Sequence, residues 1–202
     1  MFDAALRRLI DPPLNRAGKR LAGWGVGANA ATLAGLGLGL LAALLIALGE
    51  PLLALAPLLL GRVADGLDGA IARATAPTAF GGFLDILSDF VVYGAVPLAF
   101  VLADVEANGA AGAFLLAAFY ANGASFLAFA VLAEKRGMET KAQGVKTLYY
   151  SAGLLEGGET IAFFILLCLL PAWFAPLAWA FGALCLVTCA ARAVLAWRVF
   201  GA

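Results

Sequence analysis

The chain has 202 residues, 64% of them hydrophobic and only 13% charged, with zero formal net charge and a mean hydropathy of +0.98. One soluble core of this size needs no such apolar share, so the composition argues against an ordinary globular enzyme and for an all-α polytopic membrane protein. With Lys and Arg balanced by Asp and Glu there is no basic surplus to serve a nucleic-acid partner.

The opening stretch, MFDAALRRLIDPPLNRAGKRLAGW, is too polar to cross a bilayer and lacks the apolar region and cleavage site of a signal peptide. Phe2, Leu6, Leu9 and Ile10 alternate with Arg7, Arg8 and Asp11 at helical spacing. This predicts a short amphipathic helix before Pro12, lying on the membrane surface within a juxtamembrane segment 1–22. A spanning helix needs about 20 mostly apolar residues. Six transmembrane helices can be drawn, near 26–48, 51–73, 81–103, 110–133, 146–170 and 174–197, leaving one domain over 1–202.

The connections around Glu50, residues 104–108 and residues 171–174 contain no Lys or Arg. Arg7, Arg8, Arg16, Lys19, Arg20, Arg73, Lys135, Arg136, Lys141, Lys146 and Arg198 all fall on the other side. The positive-inside rule then puts both termini in the cytoplasm. Arg62 and Arg192 are exceptions, inside proposed spans.

The first span carries Gly35, Gly37 and Gly39, which allow close helix approach, and Asn29 and Thr32 near its cytoplasmic start. The fifth is unusually polar, with Lys146, Tyr149, Tyr150, Glu156 and Glu159 along it. It is expected to face a polar interior, or its tyrosines to sit at the interface. Trp173, Trp179 and Trp197 lie near span ends, as belt anchors do. Cys168, Cys185 and Cys189 fall in apolar runs and read as packed small hydrophobes. With no histidine in the chain, acid–base work falls to carboxylates, and oxygen ligands favour magnesium or manganese.

The anomaly is four aspartates inside apolar sequence: Asp65 and Asp68 in LLLGRVADGLDGAIAR, Asp85 and Asp89 in FGGFLDILSDFVVYG. Each intramembrane carboxylate opposes insertion by roughly 3 kcal/mol, so something must compensate them. Residues three or four apart share a helix face, which groups Asp65 with Asp68 and Gly81 with Asp85 and Asp89. The short connection 74–80 predicts two antiparallel neighbours whose acidic faces meet. One or two divalent cations would resolve the repulsion, and a two-ion arrangement would orient phosphate oxygens during displacement at phosphorus. Gly66, Gly69, Gly81 and Gly82 would leave backbone open to a bulky diphosphate, and Arg73 offers a forked cation for it.

The string Asp65-x-x-Asp68-Gly69-x-x-Ala72-Arg73, followed after seven residues by Gly81-x-x-x-Asp85-x-x-x-Asp89, resembles the signature of the CDP-alcohol phosphotransferases, membrane enzymes that make phospholipids. The resemblance implies that Asp65, Asp68, Asp85 and Asp89 hold magnesium or manganese as two ions, with Asp89 also the base on the acceptor hydroxyl. It implies a CDP site bordered by Gly69, Ala72, Arg73, Thr78 and Gly81. Asn29 and Thr32 match part of a Pro-Asn-x-x-Thr pattern at the opening of the first span, with Ala28 in place of the proline. Lys146 and Thr147 resemble a Lys-Thr pair that meets the acceptor, although a second lysine usual there is Val145. The C-terminal half, including KTLYYSAGLLEGGET, resembles a bacterial inner-membrane branch of the family.

The implied function is transfer of a phosphatidyl group from CDP-diacylglycerol to a small alcohol, with release of CMP, in the bacterial inner membrane and as a homodimer. Transfer of a CDP-linked headgroup to a lipid alcohol would use the same motif. An intramembrane divalent-cation transporter would distribute acids through the membrane depth, whereas these four gather toward one side beside Arg73. Glu156 and Glu159 would repel an anionic acceptor if they faced its pocket, and are otherwise explained by contacts within the bundle.

Overall fold

The computed structural model describes residues 3–138 and 157–201, and among them every element is helical. Seven α-helices follow in order: α1 (Asp3–Gly23), α2 (Ala28–Ala47), α3 (Pro51–Ala74), α4 (Ala79–Ala103), α5 (Val105–Lys135), α6 (Gly157–Leu169) and α7 (Phe174–Phe200), with a 3-10 turn at Pro171–Trp173 before the last. The chain divides into two compact units, Met1–Ala103 and Asp104–Ala202.

Local chemistry sets the breaks. Gly25, Gly49 and Gly137 adopt positive φ at the ends of α1, α2 and α5, a conformation that costs glycine little. Pro51 occupies the first turn of α3, where its missing N–H is no loss. The Asp104 side chain accepts from the Ala107 N–H at 2.9 Å and caps α5, so this helix starts five residues earlier than the expected 110. Thr78 does the same for α4, its Oγ1 accepting from the Gly81 N–H at 3.0 Å.

Four helices are long and apolar enough to cross a bilayer by length and composition: α2, α4, α5 and the segment Pro171–Phe200. These match four of the six expected spans. The expected span 51–73 is the 24-residue α3, set apart by Arg62, Asp65, Asp68 and Arg73. Of the span expected at 146–170, the part before Gly157 lies outside the described residues, and the rest is the shorter α6. Leu44, Leu48, Leu52, Leu60, Leu102 and Trp197 are each more than half exposed, a surface suited to lipid.

One expectation is corrected. The N-terminal helix does not stop before Pro12; α1 continues through Pro12 and Pro13 to Gly23. Its second half is held by docking on α3: a Cβ on Gly18 would stand 2.6 Å from the Ala70 Cβ, and one on Gly66 would stand 2.9 Å from Leu14 Cδ1. Tertiary contact therefore outweighs the helix-breaking tendency of the prolines. α2 packs against both α3 and α4. Glycine makes that possible. A Cβ on Gly35 would meet the Gly61 carbonyl oxygen at 3.2 Å, and a Cβ on Gly39 would run into Val92 of α4. The acid-bearing helices thus form the walls of a cleft backed by α2.

In the second unit α5 packs on α7. Phe163 stacks on Phe181 at 4.0 Å and Phe114 on Trp179 at 4.4 Å. Arg192, buried in α7, donates from Nη1 to the Asn122 carbonyl and Oδ1, both at 3.0 Å, and to Ser125 Oγ at 2.6 Å. These neutral oxygens and the Phe126 ring, 5.6 Å from the guanidinium carbon, surround that cation. Cys168 and Cys185 are free and buried, and Cys189 donates weakly to the Ala121 carbonyl.

Candidate active site

The acids that sequence spacing groups in pairs converge in space from both walls of the cleft. Asp65 and Asp68 of α3 and Asp85 of α4 each offer a carboxylate oxygen, and these oxygens lie within 4.8 Å of one another. Asp68 is buried and Asp65 and Asp85 are half-buried. An octahedral magnesium or manganese ion holds oxygens at about 2.1 Å, so opposite ligands stand roughly 4.2 Å apart. The three acids therefore suit one hard cation in spacing and in donor type.

Asp89 is placed differently. Its Oδ1 accepts from Arg62 Nη1 at 2.9 Å, and it falls outside the three-carboxylate group. The same Arg62 nitrogen lies 3.5 Å from Asp65 Oδ2. Arg62, read from sequence only as a misplaced charge, is thus part of the site. The signal was present in its i,i+3 spacing to Asp65 on one helix face.

The back of the cleft holds the next polar layer. Thr32 of α2 is buried and donates from Oγ1 to Asp68 Oδ2 at 2.6 Å, while also lying 3.2 Å from the Ala28 carbonyl. Asn29, one turn earlier, points its Oδ1 at Gly81, where a Cβ would come within 3.2 Å. A Cβ there would also crowd the capping Thr78 hydroxyl at 3.0 Å. Asn29 and Thr78 therefore meet around Gly81 at the start of α4, while Thr32 turns to Asp68 on α3. The absence of a side chain at Gly81 is what admits Asn29 and Thr78.

Arg73 lies at the mouth. Its Nε and Nη2 donate to Asn15 Oδ1 at 3.3 and 3.0 Å, and its Nη1 would stand 3.2 Å from a Cβ on Gly69. The guanidinium is folded back over Gly69 and anchored by α1. Asn15 carries no sequence signal, because only the docking of α1 on α3 brings it there. Ala72, half-buried, occupies the same last turn of α3 as Arg73. The Ser88 hydroxyl, between Asp85 and Asp89 in sequence, is buried without a hydrogen-bond partner among the described residues. Lys146, Thr147 and Glu156 lie outside the described residues; Glu159 is in the first turn of α6.

Depth follows from helix rise, about 1.5 Å per residue. Counted from the 75–78 turn, Asp68 and Asp85 lie roughly 9 Å along their helices, Asp65 and Asp89 roughly 14–15 Å, and Arg62 about 18 Å. The site is a layered column about 18 Å deep along these helices, with Arg73 at its mouth and the Arg62–Asp89 pair at its floor.

Known proteins resemble this chain in sequence and in fold. A family model described as CDP-alcohol phosphatidyltransferase matches residues 26–199. The inner membrane protein YnjF of Escherichia coli (strain K12) is 53% identical over 131 residues, covering 65% of this chain and 64% of that protein, so the match spans just under two-thirds of the relative. The fold is similar to that of Mycobacterium tuberculosis phosphatidylinositol phosphate synthase (PgsA1), determined with CDP-DAG bound, with a TM-score of 0.67 and 19% identity over 91% of this chain and 93% of that one. With the acidic signature, its glycines and Arg73 all inside the matched span, the chain belongs to the CDP-alcohol phosphatidyltransferase family.

Proposed function

We propose that the protein transfers a phosphatidyl group from CDP-diacylglycerol to the hydroxyl of a small alcohol, releasing CMP, in the bacterial inner membrane with both termini cytoplasmic. The observation that carries this reading is the convergence of Asp65, Asp68 and Asp85 beside the glycine-lined mouth held by Arg73. The family match and the CDP-DAG bound to PgsA1 support CDP-diacylglycerol as donor.

Asp65, Asp68 and Asp85 would hold magnesium or manganese, which when bound supplies positive charge to the diphosphate. Thr32 holds one Asp68 oxygen and so orients the carboxylate as a ligand. Arg73, oriented by Asn15, neutralises phosphate charge at the water-facing mouth, where Gly69, Ala72, Thr78 and Gly81 leave room for the CDP group. Asn29, directed at Gly81, lines the same side. The donor's acyl chains remain in lipid beside the exposed apolar faces.

Asp89 accepts the proton of the acceptor hydroxyl as its oxygen bonds to the phosphatidyl phosphorus and the bond to CMP breaks. Arg62 holds Asp89 Oδ1 and so fixes the carboxylate in the position the base must take. The protein contributes chiefly positioning and fixed charge. Lys146 and Thr147 are assigned to the acceptor, and assembly as a homodimer to the whole, by resemblance.

The test incubates purified protein with CDP-diacylglycerol and a panel of alcohols including glycerol phosphate, inositol phosphate and serine, following CMP and identifying the lipid by mass. One alcohol is expected to give a phosphatidyl product, and Asp89→Asn to lose on the order of 10²-fold or more in turnover. Headgroup transfer from a CDP-alcohol to diacylglycerol, with CDP-diacylglycerol inert, would contradict the donor assignment. A fully active Asp89→Asn protein would remove the base.

A further inference from the structure

We propose that Arg62 is the chain's own counter-charge for Asp89, so that the acidic column takes one divalent cation, on Asp65, Asp68 and Asp85, and the guanidinium stands where a second ion would otherwise be needed. The inference rests on the metal assignment above and deepens it.

Three observations carry it. Among the described residues, the carboxylates within mutual reach of one ion are three, and Asp89 is not one of them. Asp89 is instead committed through Oδ1 to a 2.9 Å charge-assisted bond, within the range for such contacts. The donor is an arginine, whose charge cannot be removed in a protein, on a helix of mostly apolar residues.

Arg62 also bridges the two walls of the cleft. Its Nη1 reaches Asp89 on α4 and stands 3.5 Å from Asp65 on its own α3. This bridge ties α3 and α4 together at the floor of the site. To bring Asp89 into a second ion's coordination through both oxygens, the bond to Arg62 must break. That would leave a guanidinium about 18 Å along α3 with only the longer contact to Asp65, in the region where an unpaired charge is most costly. A second cation would meet the same guanidinium as a like charge a few ångströms away. Pairing with Arg62 also keeps Asp89 free of metal and available as a base.

The experiment counts ions without turnover. The full chain, purified in detergent and stripped with EDTA, is dialysed to equilibrium against manganese chloride, and bound manganese is measured by elemental analysis. The wild type is expected to bind one manganese per chain, and Asp89→Asn also one, with affinity within about threefold. Arg62→Met is expected to bind two, the second disappearing in Arg62→Met with Asp89→Asn. Two ions on the wild type, one of them lost in Asp89→Asn, would overturn the proposal. So would a single ion on a folded Arg62→Met protein. Should Arg62→Met fail to fold, the comparison of wild type with Asp89→Asn decides alone. Zero ions on the wild type would overturn both the proposal and the metal assignment, whereas one ion without CMP chemistry would leave the proposal standing and remove the function reading.

Discussion

Replacing Thr32 with valine removes one hydroxyl and almost no volume, at the point where α2 touches the acidic column. The bond at stake runs from Thr32 Oγ1 to Asp68 Oδ2 at 2.6 Å between two buried residues. A hydrogen bond to a charged group contributes about 1.5–3 kcal/mol, which at roughly 1.4 kcal/mol per factor of ten is ten- to a hundredfold. Loss of a partner that orients a metal ligand falls in the same 10–100-fold range of metal affinity. The contact to the Ala28 carbonyl, at 3.2 Å, contributes little to this loss, since that oxygen also lies within a helix's own ladder. The assay titrates manganese against CMP release at saturating CDP-diacylglycerol. Thr32→Val is expected to raise the half-saturating metal concentration ten- to a hundredfold, and Thr32→Ser to restore it within about threefold. A Thr32→Val protein with wild-type metal dependence would refute the claim that Thr32 holds a metal ligand.

Gly18→Val tests the docking of α1. Its Cβ would stand 2.6 Å from the Ala70 Cβ and 2.8 Å from the Ala70 carbonyl carbon, backbone that cannot rotate away. Overpacking of this kind costs about 1–3 kcal/mol, and displaced α1 should be cut faster by trypsin at Arg16, Lys19 and Arg20; unchanged cleavage and thermal midpoint would deny that α1 is packed there. Asn15→Ala should raise KM for the CDP donor several-fold while kcat stays within about twofold, because it frees Arg73 without removing it. In an Arg73→Ala background the same change should cost almost nothing; fully additive losses would mean that Asn15 acts elsewhere.

The acidic column was legible because its signal is periodic. Asp65 and Asp68, and Gly81, Asp85 and Asp89, sit at three- and four-residue spacing, and that spacing alone puts each set on one helix face. Asn29, Thr32, Thr78 and Gly81 could be placed beside it only through the family resemblance, because nothing local ties α2 to the start of α4. The short connection 74–80 was enough to foresee that the acidic faces of α3 and α4 meet. It could not show that α2 packs on both, through Gly35 against Gly61 and Gly39 against Val92. Arg62 was visible as a charge in a span, yet its main partner is on another helix, 27 positions later. Asn15 had no signal at all, and Pro12–Pro13 argued for a helix end that docking on α3 overrides. The acceptor assignment rests on Lys146 and Thr147, which lie outside the described residues.

The central claim is that the three converging acids serve metal-dependent chemistry on a CDP-linked lipid. It is tested most directly by CMP release from CDP-diacylglycerol with the responsive alcohol, comparing wild type and Asp85→Asn, each stripped with EDTA and then given manganese. The account predicts that stripped wild type releases no CMP, recovers with manganese, and that Asp85→Asn stays at least 10²-fold slower at any manganese concentration. Undiminished CMP release by the stripped wild type, or full activity in Asp85→Asn, would contradict it.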